Sequence, residues 1–111
     1  MDVALHCSAE SPAERAHAIA NVGNLLDARA DASVVFVANG DGVLALTADA
    51  EQADRVGALA DRGVAFRACA NSLRSRGIDE TSLAEGVETV PAGVGELVGL
   101  QAAGSSYIKV P

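Results

Sequence analysis

The run SVVFVA, residues 33–38, is apolar at every position after its first serine. A strand with one face in water alternates polar and apolar residues, so a run that is apolar on both faces is typical of a central strand in a parallel sheet. Further strands are predicted on either side of it, at residues 2–7, 64–68, 87–90 and 105–110. Helical segments lie between these strands. The alternation predicts an α/β fold, a three-layer α/β/α sandwich around a mainly parallel sheet of about five strands.

Capping residues mark where the longer helices begin. The segment SPAE, residues 11–14, supplies a capping serine, a proline for the first helical position and a capping-box glutamate, and helical spacing continues to Leu26. Asp49 and Gln52 predict a second capped start, for a helix that Gly63 ends. These signals place one helix before the central strand and one after it.

The remaining segments are shorter or ambiguous. Residues 71–76 predict a short helix, a brief helical turn follows Asp79, and residues 94–103 predict a last helix. Residues 43–47 (VLALT) fit either a short strand or the start of a helical segment. No linker, repeat or low-complexity segment interrupts the pattern, so residues 1–111 are predicted to form a single domain.

The chain is acidic, with a net charge of −7 and Lys109 as its only lysine. Nucleic acids and anionic membranes both require neutralising positive charge, so neither is predicted as a partner. The absence of an apolar run of about 18 residues, and of a basic, apolar leader, predicts a soluble, cytoplasmic protein. The two cysteines, Cys7 and Cys69, lack a metal or redox spacing and are expected to be free thiols.

Most of the reactive side chains follow the ends of predicted strands. Ligands bind open α/β sheets at the carboxyl ends of the strands, so this edge is the predicted functional site. The residues predicted there are His6, Asn39, Gly40, Cys69, Asn71, Pro91 and Gly93. Cys7 alternates with His6 and is therefore expected to face the other side of the sheet, as a structural residue.

Cys69 has two interpretations. It precedes a short helix whose free N–H groups favour a thiolate, and Arg74 and Arg76 would act in the same direction if they lie close. Free cysteine is also among the most buried residue types, so a small core residue is the alternative. His6 is likewise either a group that orients or deprotonates the thiol, or a hydrogen-bonded, half-buried histidine.

The loop NGDG, residues 39–42, together with Ala45 matches the G-x-G-x-x-A pattern of dinucleotide sites. The residues after it do not clearly open a helix, and the next strand ends with Arg67 where a ribose-binding acid is expected. A tight turn is therefore favoured over a phosphate cradle. No carboxylate dyad or metal-ligand cluster is apparent, and no metal or cofactor is predicted.

Five segments together carry a family resemblance. They are the first strand with His6, NVGNLL (21–26), VVFVANGDGVLAL (34–46), RGVAFRACANSLRSRGID (62–79) and VETVPAGVGELVGLQAAGSSYIKVP (87–111). This ordered set resembles the DsrE/DsrF-like family of intracellular sulfur-handling proteins over nearly the whole chain. The resemblance implies a small three-layer α/β fold and assembly as trimers or hexamers. It also implies, for some members, a persulfide carried on the cysteine that corresponds to Cys69 and passed between donor and acceptor proteins.

The leading hypothesis is a sulfur carrier or sulfurtransferase component in which Cys69 is the acceptor thiol. Asn39 and Asn71 would donate hydrogen bonds to it, and His6 would assist proton transfer. The alternative hypothesis is a non-catalytic oligomeric binding module whose strand-end pocket holds a small ligand or a partner's loop. A nucleotide-binding subunit that uses the NGDG loop is a third.

The C-terminal half carries more apolar side chains than one modest sheet face needs. These are Val94, Leu97, Val98, Leu100, Tyr107 and Ile108. A short chain can bury such residues by associating with copies of itself, so a homo-oligomer is predicted, with the family resemblance implying a trimer or hexamer.

Overall fold

The computed structural model describes residues 1–111 and contains one sheet of five strands, all of them parallel. The strands are β1 (Asp2–Cys7), β2 (Ser33–Ala38), β3 (Ala65–Cys69), β4 (Val87–Val90) and β5 (Ser106–Lys109). Their order across the sheet is β4-β3-β2-β1-β5, so the apolar run of residues 33–38 is the middle strand. The predicted α/β fold and the central position of this strand are confirmed.

Four α-helices and two 3-10 helices connect the strands. They are α1 (Pro12–Ala28), a 3-10 helix (Gly40–Leu46), α2 (Ala53–Asp61), α3 (Ala70–Ser75), a 3-10 helix (Glu80–Ser82) and α4 (Gly93–Ala102). The start of α1 follows the sequence signal, because the Ser11 hydroxyl accepts a hydrogen bond of 3.1 Å from the Glu14 N–H and Pro12 is the first helical residue.

One local ambiguity is resolved and one local prediction is wrong. Of the two alternatives for residues 43–47, the helical one is closer, because residues 43–46 are the second part of the 3-10 helix that begins at Gly40, and Thr47 makes a single antiparallel bridge with Leu83. The second helix is not capped by Asp49. Backbone hydrogen bonds from Ala50 to Thr47 and from Ala53 to Ala50 make turns there, so α2 begins only at Ala53 and has no side-chain cap.

The two faces of the sheet are covered unequally. On one face α1, α2, α3 and the first 3-10 helix enclose the larger core, in which the rings of Phe36 and Phe66 lie 5.3 Å apart. On the other face a smaller cluster of Ala4, Val37 and Leu97 packs under α4. These three layers are the predicted sandwich, and the site described below lies on the α4 face.

No helix in the chain combines the length and the apolar character that crossing a membrane would need.

Candidate functional site

The carboxyl ends of β1, β2 and β3 bring three predicted site residues to one edge of the sheet. His6 is in register with Val37, and Val37 with Arg67. Side chains two positions apart on a strand share a face, so Cys69 lies on the same face as His6. Asn39 follows β2 and reaches this face, because its Oδ1 lies 2.6 Å from Nε2 of His6.

Gly93, the first residue of α4, packs directly against the site residues. A Cβ built on this glycine would lie 3.1 Å from Cβ of Asn39, 3.4 Å from Cβ of Cys69 and 3.5 Å from Cγ1 of Val37. Any larger residue would push the start of α4 away from the strand ends. The glycine therefore lets the backbone of α4 approach Cys69 and Asn39 directly. Pro91, two residues earlier, is exposed in the turn between β4 and α4.

The pKa of the Cys69 thiol is lowered although the residue is only 5% exposed. Burial by itself raises this pKa, but hydrogen bonding from the Ser72 hydroxyl and from the N–H groups of Gly93, Ser72 and Asn71 outweighs it. Cys69 occupies the N-cap position of α3, where N–H groups of the first turn face back toward the side chain. The neutral thiol makes no short capping hydrogen bond. These donors therefore favour the charged form.

His6 joins the exposed edge strand to the site through two hydrogen bonds. Its Nδ1 lies 2.7 Å from the Tyr107 hydroxyl, and its Nε2 lies 2.6 Å from Oδ1 of Asn39. An amide oxygen can only accept, so Nε2 donates its proton to Asn39, and in that tautomer Nδ1 accepts from the Tyr107 hydroxyl. His6 therefore contacts Asn39 rather than the sulfur, and the NH₂ group of Asn39 has no hydrogen-bond partner within the chain.

The polar residues of α3 divide between the site and the surface. The side-chain oxygen of Asn71 accepts a hydrogen bond from Arg74, so only the backbone N–H of Asn71 serves Cys69. Arg76 forms an ion pair of 2.9 Å with Asp41 in the glycine loop. The sequence suggested that both arginines would favour the thiolate. In the structure the groups that lower the pKa are hydrogen-bond donors, and the two cations are engaged elsewhere.

The glycine loop is explained by packing. A Cβ on Gly42 would lie 2.1 Å from the carbonyl oxygen of Cys7, so only glycine lets the loop pass over the end of β1. Gly40 has φ of 55°, in the left-handed region that glycine readily adopts. The N–H of Gly40 donates to Oγ of Ser72 at 2.8 Å, and that of Gly42 donates to the carbonyl of Asn39 at 3.0 Å. These two backbone N–H groups, which a phosphate would need as donors, therefore already donate to acceptors within the chain.

Cys7 lies on the opposite face, as the alternation along β1 predicts. It is fully buried in the larger core, and burial raises the pKa of its thiol despite opposing contributions from the Ala9 N–H, Lys109 and Arg15. Cys7 therefore has the properties of a structural cysteine.

Ser72 and Tyr107 belong to the site, but sequence reasoning assigned neither of them a place there. The spacing of Cys69 and Ser72 in CANS is a local signal that could have identified the serine, because the N-cap residue and the third helical residue face each other. Tyr107 is 101 positions from His6, and no local pattern connects them.

Comparison with known proteins gives the same fold and extends over nearly the whole chain. The structure of MTH1491 from Methanobacterium thermoautotrophicum, a protein of unknown function, is 36% identical and superposes with a TM-score of 0.92. The match covers 97% of both chains. The structure of the ychN protein from E. coli also matches over 97% of both chains, with a TM-score of 0.76. At 16% identity this second match speaks for the fold alone.

No curated protein gives a significant match to this sequence. The family comparison is positive: the profile of the DsrE/DsrF-like family matches residues 1–110 of the 111 in the chain. The match includes every strand end that builds the site, and the 36% identity to MTH1491 covers the same elements. On these grounds the chain belongs to the DsrE/DsrF-like family.

Proposed function

We propose that this protein is a small cytoplasmic sulfur carrier in which Cys69 forms a persulfide. The observation that carries the proposal is the set of hydrogen-bond donors around the Cys69 sulfur, which lowers the pKa of its thiol. The thiolate is the nucleophilic form of cysteine, and a persulfide anion at the same position would need the same stabilisation. Membership of the DsrE/DsrF-like family supports this assignment.

The proposed reaction is the transfer of one sulfur atom from a donor persulfide. The Cys69 thiolate attacks the outer sulfur of the donor, the donor's S–S bond breaks, and a new S–S bond forms on Cys69. The donor leaves as a thiolate. The transferred sulfur, now the outer sulfur of the Cys69 persulfide, keeps its proton or releases it to solvent. Because the transferred sulfur carries its oxidation state with it, no external oxidant or reductant is required.

Three neighbours have roles in this proposal. The N–H of Gly93 stabilises negative charge on the sulfur. The Asn39 NH₂ group is available to the added sulfur. His6 holds the Asn39 oxygen through its Nε2 proton, and in this way orients the amide. Since Cys69 is 5% exposed, the bound persulfide would be shielded from competing thiols in solution.

Sulfur loading of Cys69→Ser tests the proposal. The protein is incubated with a small persulfide donor, and the mass gained is measured on the intact chain. We expect the parent and Cys7→Ala to gain sulfur and Cys69→Ser to gain none, since Cys7 is buried in the core. Loading that persists in Cys69→Ser would disprove the persulfide role. A parent protein that takes up no sulfur would leave the alternative, a non-catalytic binding module.

We also propose that the protein is a homo-oligomer, a trimer or hexamer, assembled in part through α4. Val94 and Val98 lie one turn apart on this helix and are 66% and 63% exposed. Light scattering after size exclusion should give a mass above that of one chain, and Val98→Asp should shift it toward the monomer. A parent protein that is monomeric at micromolar concentration would contradict the assembly.

A further inference from the structure

We propose that Ser72 is a positioning residue for the Cys69 thiolate, whose hydroxyl proton is aimed at the sulfur because the Gly40 N–H occupies the hydroxyl oxygen. This inference rests on the proposed function, since it states how the same thiol is kept reactive. It assigns the glycine loop, which nothing in the sulfur chemistry requires, a role at the site.

The orientation of the hydroxyl follows from its hydrogen bonds. The Gly40 N–H donates to Oγ of Ser72 at 2.8 Å. A hydroxyl has a single proton, and an oxygen that accepts from the backbone keeps this proton free for another acceptor. Ser72 is the third residue of α3 and Cys69 is its N-cap, so both residues belong to the first turn of this helix. The Ser72 hydroxyl is correspondingly the leading contribution that lowers the pKa of Cys69.

The loop that supplies the Gly40 N–H is fixed to the same helix. Asp41 in the loop pairs with Arg76 at the end of α3 at 2.9 Å, and Nη1 of Arg76 donates to the carbonyl of Ser72 at 3.1 Å. Gly40 has a left-handed φ, and its N–H donates to Ser72. The loop and the short helix therefore form one hydrogen-bonded unit, and Cys69 lies at the start of that helix.

The charged groups on the surrounding elements are largely paired with other groups. The contacts are Arg67 of β3 with Glu96 of α4 at 3.0 Å, Asp41 with Arg76 at 2.9 Å, and Arg74 with the amide of Asn71. Glu88 on β4 and Lys109 on β5 are exposed to solvent. His6 is the nearby histidine, and its ring nitrogens contact Tyr107 and Asn39. Hydrogen bonding rather than net charge therefore distinguishes Cys69.

The test is the pH dependence of Cys69 alkylation, measured by intact mass in a Cys7→Ala background. Ser72→Ala should move the midpoint to higher pH and slow alkylation about tenfold below it, since a hydrogen bond to a charged group contributes about that factor. Ser75→Ala is the matched control: its hydroxyl donates to the Ser72 carbonyl at 3.1 Å on the same helix, and it should leave the profile unchanged.

A second pair of variants separates the hydroxyl from the shape of the side chain. Thr and Val have nearly the same volume, so Ser72→Thr should keep the parent midpoint and Ser72→Val should reproduce the shift of Ser72→Ala. Repeating the pair in a His6→Gln background tests whether the shift persists without the imidazole. A Ser72→Ala or Ser72→Val profile that superimposes on the parent would overturn the proposal.

Sulfur loading of the same variants keeps this proposal separate from the proposed function. If the parent loads sulfur and Ser72→Ala keeps the parent alkylation profile, the positioning role fails and the carrier function stands. If the alkylation midpoint shifts but the parent accepts no sulfur, the positioning role stands and the carrier function fails. When both hold, Ser72→Ala should load sulfur slowly at neutral pH and recover at alkaline pH.

Discussion

Cys7 and Cys69 end two strands of the same sheet, and a glycine from a later segment packs against each of them. Gly42 passes over the carbonyl of Cys7, and Gly93 approaches Cβ of Cys69. Both cysteines are at least nine-tenths buried, yet the pKa is raised for Cys7 and lowered for Cys69. Burial alone therefore does not decide the character of a thiol.

The difference lies in what each side chain faces. Cys7 points into the apolar core beneath α1, where burial dominates. Cys69 lies at the start of α3, where backbone N–H groups and a hydroxyl meet it. A shift of one residue in register would exchange the faces, because side chains alternate along a strand. The lowered pKa of Cys69 thus depends on strand register together with the helix that follows.

The largest effect is expected at the glycine that covers Cys7. Gly42→Ala places a Cβ 2.1 Å from a backbone oxygen, which cannot move without disturbing β1. We expect the free energy of unfolding to fall by about 3 kcal/mol, measured by urea denaturation. Gly57→Ala is the control, since no atom lies within 4 Å of its Cβ and alanine favours the helix. Equal stability of the two variants would show that the loop moves freely away from Cys7.

The corresponding change at Cys69 should affect reactivity more than stability. Gly93→Ala brings a Cβ to 3.1 Å from Asn39 and 3.4 Å from Cys69, close enough to displace the start of α4 by a few tenths of an ångström. The Gly93 N–H would move from the sulfur, so the alkylation midpoint of Cys69 should rise. The expected loss of stability is about 1 kcal/mol.

Gly95→Ala is the matched control on the same helix, because its Cβ meets nothing within 4 Å. It should leave the alkylation profile of Cys69 as in the parent. If Gly93→Ala also leaves the midpoint in place, the N–H of Gly93 does not stabilise the thiolate, and the contrast between the two cysteines depends on α3 alone.

The strands, their two faces and the edge of the sheet that holds the site could all be predicted from the sequence. Apolar runs and turn residues are local signals, and every strand was located to within a residue of its observed bounds. The alternation of His6 and Cys7 correctly separated the two faces. The rule that ligands bind at strand ends then selected the edge that holds His6, Asn39 and Cys69.

The remaining features depend on contacts between distant residues. The order of the strands, the 32-position link between Gly40 and Ser72 and the link from Tyr107 to His6 arise only when the sheet assembles. The predicted cap at Asp49 was wrong for a related reason, since tertiary contacts of Thr47 keep that segment in turns. Local propensity yields to packing where a bridge to another segment is available.

The smallest expected effect is a difference in how the two thiols contribute to the free energy of unfolding at alkaline pH. The folded-state pKa of Cys69 lies below its unfolded value, so its contribution to stability grows as pH rises from the folded pKa and is complete above the unfolded one. The folded-state pKa of Cys7 lies above its unfolded value, so ionisation of the unfolded chain lowers stability as pH passes the ordinary value.

Urea denaturation at a series of pH values around the ordinary thiol pKa measures both contributions. Relative to the parent, Cys69→Ala should lose stability more steeply with rising pH, and Cys7→Ala should lose it less steeply. Subtracting the parent curve cancels the groups that the variants share. Parallel curves for the two variants would mean that the thiols do not differ in ionisation. The reactivity of Cys69 would then have to come from access alone.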